Sequence, residues 1–159
     1  MIARHRPNRA AFSLIEVIVT MTILAVLLTF AAPSVVQTME QSHADLAGAS
    51  LRSIASAQRF FWLENRTYAT TLQELIDTEL VDNELINASP RYEFSITAAD
   101  AAGFTAQARR RNFNTAGNPV YNGAWSGDFQ IDETGEITGD VEGRFNPILG
   151  SAPTVAPGF

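Results

Sequence analysis

One long apolar stretch lies near the start of the chain, between residues 12 and 36, and Glu16 is its single charged residue. About twenty apolar residues are enough for a helix to cross a bilayer. Three arginines precede the stretch, namely Arg4, Arg6 and Arg9. The next arginine is Arg52. Because positive residues favour the cytoplasmic side, the pattern predicts a membrane-spanning helix with a cytoplasmic N-terminus and an extracytoplasmic remainder.

Helical spacing continues beyond this stretch through about residue 64. Apolar side chains recur at steps close to three, four and seven, as on one face of an amphipathic helix. The residues of this face are Val35, Met39, Leu46, Ala49, Ile54, Ala57 and Phe61. A second row, Leu51, Ala55 and Trp62, indicates either a broader core face or a surface for neighbouring copies. We therefore expect residues 37–64 to form an amphipathic continuation of the helix.

The second half of the chain carries the signals of one short helix and several strands. Thr70 or Thr71 is suited to cap a helix over residues 72–81. Alternating apolar residues predict strands at Tyr92, Phe94 and Ile96, at Phe104, Ala106 and Ala108, and at Phe129, Ile131 and Ile137 around a turn at 132–135. The predicted fold is α+β, a long N-terminal helix packed on a three- or four-stranded antiparallel sheet. Residues 65–145 would form the connecting region and sheet, and residues 146–159 an irregular tail.

Composition narrows the classes of function. The chain has 159 residues, enough for one domain and an anchor, and no cysteine, which excludes disulfides and thiolate metal sites. All eleven cationic residues are arginines, against seventeen carboxylates. Such a chain does not hold nucleic acid by bulk electrostatics. No serine, histidine and acid arrangement, phosphate loop or zinc spacing occurs, so we do not expect an enzyme.

Glu16 is the unusual residue of the apolar stretch. A charge near the middle of a membrane helix costs roughly 2.5–3.5 kcal/mol on insertion scales, so an intramembrane carboxylate indicates a function. Alternatively, Glu16 lies near enough to the cytoplasmic end for its carboxylate to reach the headgroups.

The residues around Glu16 favour the functional interpretation. A short basic leader, the small residue Ala11 and then Phe12-Ser13-Leu14-Ile15-Glu16 at the head of an apolar helix resemble the processing site of type IV prepilins and type II secretion pseudopilins. The resemblance implies that prepilin peptidase removes residues 1–11 by cutting between Ala11 and Phe12, and methylates the new amine of Phe12. The family's usual residue before the cut is glycine, where this chain has Ala11.

The resemblance also gives Glu16 a role in assembly. In the family this glutamate is thought to neutralise the N-terminal amine of a neighbouring subunit. The role is physically reasonable because a carboxylate and an ammonium in an apolar filament core stabilise each other.

Pro33 stands where the family commonly has a proline in its first helix. A proline inside a helix removes one hydrogen bond, so we expect a bend or a melted segment there, or else the point where the helix leaves the membrane. A further resemblance to pilins and major pseudopilins covers residues 58–75, where a helix end, a polar turn, Tyr68 and a leucine-bearing segment follow one another.

A secretory signal peptide is the rival interpretation of the apolar stretch. Its apolar core should run about 7–15 residues and end at a small-x-small cleavage site. This stretch is longer and contains Glu16, and its best late site, residues 30–32, is followed by Pro33.

A glycine-rich acidic region near the C-terminus is a candidate cation site. Flexible, oxygen-rich loops suit calcium, and major pseudopilins carry calcium in a comparable region. The candidate ligands are Asp128, Asp132, Glu136 and Asp140. A solvated hairpin explains these charges equally well, so the sequence leaves both interpretations open.

Arg109, Arg110 and Arg111 form the basic cluster of the head. They could contact DNA or an acidic surface, but arginines at a strand end are more often solvated or paired with acids. We do not expect nucleic acid to be a partner.

The resemblance implies a structural subunit of a type IV pilus-like filament, assembled through its hydrophobic N-terminal helix after leader cleavage. The implied partners are identical or homologous subunits, prepilin peptidase, an assembly ATPase, an inner-membrane platform protein and, before assembly, the membrane itself. The precursor would lie in the inner membrane and the product in a pilus or pseudopilus at the cell surface or in the periplasm. Two alternatives stay open: a type II secretion pseudopilin, and a membrane-anchored extracytoplasmic binding protein that does not polymerise.

Overall fold

The structure is a computed structural model that describes residues 13–84, 89–145, 147 and 150–158, without the side chains of residues 30–33. Ala11 and Phe12 lie outside the described residues. The chain divides into two compact units, Met1–Val36 and Gln37–Phe159. Helix α1, Leu14–Asn65, begins in the first unit and ends in the second.

The first unit contains the apolar part of α1. Its described side chains from residue 13 to residue 29 are all exposed, and its large apolar ones are between 41% and 77% exposed. The hydroxyls of Thr20, Thr22 and Thr29 donate to the carbonyls of Val17, Ile18 and Ala25 within the helix. These bonds satisfy the polar side chains locally, as an apolar environment requires.

The second unit is an antiparallel sheet packed on residues 37–65 of α1. Its strands are β1 Tyr92–Ala99, β2 Phe104–Arg110, β3 Asn112–Phe113, β4 Pro119–Val120, β5 Trp125–Asp132, β6 Ile137–Thr138, β7 Val141–Gly143 and β8 Thr154–Val155. The main sheet has the order β1-β2-β5-β7-β8, with β6 paired to β5, and β3 pairs with β4 separately. The α+β prediction, a long helix on an antiparallel sheet, is confirmed.

The main sheet has six strands among the described residues rather than three or four. Alternation correctly located β1, β2 and the β5–β6 hairpin, in which Ile131 pairs with Ile137. The additional strands β7 and β8 are two or three residues long. So short a segment cannot display a period of two, so alternation does not predict these strands.

The C-terminal tail is more regular than predicted. Strand β8 pairs with β7, and Val155 is buried. Beyond β8, the backbone nitrogen of Gly158 donates to Asp45 Oδ1 at 3.0 Å. Side chains of α1 thus supply the hydrogen bonds that the proline-rich tail cannot make with itself.

The core of the second unit combines aromatic residues of the sheet with small residues of the helix. The sheet buries Tyr92, Phe94, Phe104 and Phe129, and α1 buries Ala44, Ala47, Leu51, Ile54, Ala55 and Ala57. The predicted helix face was therefore only partly correct. Val35, Met39, Leu46 and Ala49 are exposed, whereas Leu51 and Ala55 of the second row lie in the core. Because interiors are close-packed, large rings on the sheet favour alanines on the facing helix.

Helix α2, Leu72–Asp77, is shorter than the predicted range of 72–81. Thr71 caps it, since its side chain accepts from the backbone nitrogen of Glu74. Glu74 in turn accepts from the backbone nitrogen of Thr70 at 2.9 Å, which completes a reciprocal cap. The helix ends because Glu79 has a positive φ of 58°.

Candidate functional site

Glu16 lies in the first turn of α1, where its backbone nitrogen donates to the carbonyl of Ser13 at 3.0 Å. Its side chain is exposed, and within the described part of the chain no cation pairs with it. A carboxylate at this position is favourable to the partial positive charge of a helix N-terminus, and the Ser13-x-x-Glu16 spacing is that of a capping box. Glu16 is therefore suited to start the helix, and its role in assembly stays a prediction.

Pro33 lies within α1, whose helical assignment runs from Leu14 to Asn65 without a break. Its side chain is outside the described part of the structure. The expected bend or melted segment stays a prediction, as does cleavage between Ala11 and Phe12.

A buried ion pair connects α1 to the sheet. Arg110 Nε donates to Glu40 Oε1 at 2.5 Å and Arg110 Nη2 to Glu40 Oε2 at 3.0 Å. The two side chains are each 3% exposed. Arg91 Nη1 lies 3.8 Å from the same carboxylate. A bidentate pair of this kind fixes the relative position of two elements because its geometry is directional.

Two ionisable groups beside the ion pair have shifted pKa values. Burial lowers the pKa of His43, and the nearby charge of Arg91 lowers it further. Burial also raises the pKa of Tyr92, with a further contribution from the Glu40 carboxylate. Both groups are thus kept neutral at physiological pH.

The polar side of α1 holds the C-terminal tail. Gln41 Nε2 donates to the carbonyl of Ala156 at 2.5 Å and to Asp45 Oδ1 at 3.0 Å. A methyl group built at Gly48 would lie 2.7 Å from Pro157 Cβ. Gly48, which costs helix stability relative to alanine, therefore provides the space in which the tail crosses the helix.

Gln58 connects the end of α1 to the following loop. It is fully buried. Its Nε2 donates to the carbonyl of Ala69 at 2.9 Å, and its Oε1 accepts from the nitrogen of Ala69 at 2.8 Å. This reciprocal pair satisfies both backbone groups of a buried residue.

The predicted calcium ligands do not converge. Asp128 Oδ2 accepts from Gln107 and Gln130, each at 2.9 Å. Asp132 Oδ1 accepts from the nitrogen of Thr134 at 2.9 Å and from its hydroxyl at 2.5 Å. Among the residues that the structure describes, no group of three or more histidines or carboxylates is placed to hold a metal ion. Asp128, Asp132, Glu136 and Asp140 therefore give no support to a calcium site.

The three consecutive arginines have separate environments. Arg109 stacks over Tyr121, with its guanidinium carbon 4.1 Å from the ring centroid. Arg110 points inward to Glu40. Arg111 Nη2 donates to the carbonyl of Pro90 at 2.9 Å. They do not form one continuous basic surface.

Sequence reasoning missed Glu40, Gln41 and Gln58 as structural residues, and it missed the inward direction of Arg110. A signal for Arg110 was present, since it continues the alternation of Phe104, Ala106 and Ala108 on the buried face of β2. Its partner Glu40 is 70 residues away in sequence, and no local pattern links the two.

Comparison with known proteins identifies a motif near the N-terminus of the chain. Residues 6–32 match the family described as "Prokaryotic N-terminal methylation motif". Over 71 residues the chain is 31% identical to the type II secretion system core protein G of Pseudomonas aeruginosa, across 45% of this chain and 50% of that protein. The chain thus spans about half the length of this curated relative.

One helix of the described chain, α1, is long and apolar enough to cross a membrane, judged by length and composition. With the methylation motif, it implies an inner-membrane precursor. The methylation motif and the similarity to a type II secretion core protein agree with the prediction that the chain is not an enzyme. By its methylation motif, its apolar helix and its α+β fold, the chain is similar to pilins and pseudopilins.

Proposed function

We propose that this chain is a structural subunit of a type IV pilus-like filament, cut between Ala11 and Phe12 and polymerised through the apolar part of α1. One observation carries the proposal. The methylation motif leads directly into a helix whose described side chains from residue 13 to residue 29 are all exposed.

So long an apolar surface is not stable in water. Removing apolar surface from water contributes about 25 cal/mol per Å². The helix therefore needs lipid or other apolar helices around it. The membrane fills this role in the precursor, and the equivalent helices of neighbouring subunits fill it in the filament.

Glu16 supports this sequence of events. In a filament core of low dielectric, its carboxylate would be costly alone and favourable beside the free amine of a neighbouring Phe12. Cleavage by prepilin peptidase creates that amine. Assembly would then use an ATPase and an inner-membrane platform protein to extract the helix.

A type II secretion pseudopilin is the second candidate within the filament class. The similarity to core protein G of Pseudomonas aeruginosa favours it, although that match covers half of the relative. Restoration of secretion, in a strain that lacks its own major pseudopilin, distinguishes this candidate from a surface pilus. A membrane-anchored binding protein, the alternative of another class, would keep its leader and form no polymer.

The proposal is tested by expressing the full precursor with a prepilin peptidase and an assembly system, and imaging filaments by electron microscopy. Wild type should form filaments, and Glu16→Ala should reduce them by at least about tenfold, the factor for 1.4 kcal/mol of lost interaction. Glu64→Ala is the matched control because Glu64 is an exposed glutamate in the second unit. Normal filaments from Glu16→Ala would overturn the assigned role of Glu16.

A further inference from the structure

A cleft of about 310 Å³ lies at the end of the sheet where β1 begins and β2 ends. Its lining residues are Pro90, Arg91, Arg110, Arg111, Asn112 and Phe113, and we call it the arginine cleft. Phe113 is 56% exposed and forms an apolar wall. The guanidinium carbon of Arg111 lies 5.5 Å from the centroid of that ring.

Three guanidinium groups line the arginine cleft and carry three positive charges. Among the described residues, one carboxylate, that of Glu40, forms ion pairs with them. Glu40 makes its two short bonds to Arg110, which leaves Arg91 at 3.8 Å and 47% exposed. Arg111 uses one nitrogen on the carbonyl of Pro90, while its Nε is buried without a hydrogen-bond partner in the described structure. The cleft is therefore a site of positive charge on a chain whose formal net charge is −6.

The depressed pKa of His43 agrees with this charge. After burial, the nearby charge of Arg91 is the next largest cause of the shift; the Glu40 carboxylate opposes it, and Arg110 acts in the same direction as Arg91. A carboxylate seated in the arginine cleft would meet charge-assisted hydrogen bonds from a planar guanidinium, which is a strong and directional interaction.

Negative charge lies at the opposite end of the same strands. The turn between β5 and β6, which we call the acidic turn, contains Asp132, Glu133 and Glu136. Glu133 and Glu136 are exposed. In the register of the sheet, Asp132 pairs with Thr105 near the start of β2, whereas Arg111 directly follows the end of β2. At about 3.3 Å per residue, the two ends are about 20 Å apart.

We propose that the arginine cleft binds the acidic turn of a second copy of this chain. The inference rests on the proposed filament function and specifies a contact between heads within it. In the proposed filament the copies all point the same way, so a copy that binds the acidic turn of one neighbour offers its own acidic turn to a different neighbour. A contact of this heterologous type repeats from copy to copy and produces an open-ended polymer.

A second copy fits the arginine cleft better than nucleic acid does. A phosphate backbone requires several clustered cations along its length, whereas Arg109 is stacked on Tyr121 outside the cleft lining. The chain's excess of carboxylates would repel a polyanion but supplies the acidic partner for another copy.

The absence of cysteine makes cross-linking a direct test. Full-length copies carrying Arg111→Cys are co-assembled with full-length copies carrying Glu133→Cys, and the filaments are oxidised. The proposal predicts a disulfide-linked dimer in the mixture and none in filaments of either variant alone. Each chain carries a single cysteine, so any disulfide joins two copies and requires their Cα atoms to lie less than about 7 Å apart.

Arg144→Cys mixed with Glu133→Cys is the matched control, because Arg144 is exposed and outside the cleft lining. Equal cross-linking in this control, or intact mixed filaments without the Arg111–Glu133 dimer, would overturn the proposal. Failure of wild type to form any filament would instead contradict the proposed function.

Charge reversal gives an independent readout. Arg111→Glu and Glu133→Arg should each reduce filament yield by about tenfold through like-charge contact, and the doubly reversed chain should recover it. Circular dichroism of each variant shows whether the head is folded. If Arg111→Glu leaves filaments normal but abolishes retention of DNA, the cleft is a nucleic-acid site and the proposal is wrong.

Discussion

At the scale of single residues, the Glu40–Arg110 pair is a buried, bidentate link between helix and sheet. Both side chains are almost fully buried and joined by two hydrogen bonds. Removing one partner of such a pair leaves an uncompensated buried charge, which costs more than the pair itself contributes.

We therefore predict that Glu40→Met lowers the free energy of unfolding of the head by about 3–5 kcal/mol. Arg110→Met should lower it by less, because Arg91 stays beside Glu40, and the double variant should lose much less than the sum of the two. The measurement is denaturant unfolding of the detergent-solubilised full chain, followed by the fluorescence of buried Trp125. Additive losses in the double variant would show that the two residues do not act as a pair.

His43 gives the head a pH dependence. Its pKa is lowered from the usual 6.5 by burial and by Arg91, so below that pH the unfolded chain binds more protons than the folded one. Stability should therefore fall as the pH decreases through 6.5 toward the lower folded-state pKa. Thermal unfolding between pH 8 and pH 5 should show this slope in wild type and a flatter curve in His43→Gln.

Two other carboxylates titrate in a different pH range. Hydrogen bonds from Thr70 lower the pKa of Glu74 from its usual 4.5, and backbone donors lower that of Asp100 from 3.8. Their contribution to stability is present above these values and is lost at more acidic pH.

An equal slope of stability against pH in wild type and His43→Gln, between pH 8 and pH 5, would show that His43 does not cause the pH dependence.

At the scale of elements, the C-terminal tail is held by α1 through Gln41, Asp45 and the space at Gly48. We predict that Gly48→Leu displaces the tail, because even its Cβ would overlap Pro157, and that overpacking costs about 1–3 kcal/mol. Limited proteolysis of the full chain should then release residues near the C-terminus faster than in wild type.

Ala49→Leu provides the matched control, since Ala49 is exposed on the same turn of the helix. It should leave both stability and proteolysis close to wild type. Slow proteolysis in Gly48→Leu, equal to that of Ala49→Leu, would contradict the assigned role of Gly48.

Elements that are long enough to show a repeating pattern could be predicted from the sequence. Strands β1 and β2 bury alternate residues along part of their length, and the apolar stretch fixed the start of α1 to within a few residues. The buried face of α1 could not be read correctly, because hydrophobicity favours Met39 and Leu46 over Ala44 and Ala47. Which residues are buried depends on the volume of the sheet's aromatic rings, and this is a property of tertiary packing.

The candidate functional residues divide in the same way, into those that a sequence pattern reveals and those that depend on the tertiary structure. Residues 12–16 carry a contiguous motif, so the sequence alone indicated the family, and the comparisons agree. The arginine cleft joins residues 90–91 to residues 110–113 through strand pairing. Its existence depends on the register of β1 and β2, which the alternation pattern does not specify.

At the scale of the whole molecule, the chain combines an apolar helical segment that needs a partner with a head that has a core of its own. In the proposed filament, the apolar helical segment supplies most of the association energy, because the free energy of burying apolar surface is large and does not depend on direction. The charged ends of the sheet would then select the register between copies, because electrostatic complementarity contributes specificity more than affinity.

The most direct test of this account is the mass of the N-terminal peptide of the protein isolated from cells that contain a prepilin peptidase. The account predicts a chain that begins at Phe12 and carries one methyl group on its amine. An N-terminus at Met1, or one just after residue 32 as a signal peptidase would leave, would contradict it.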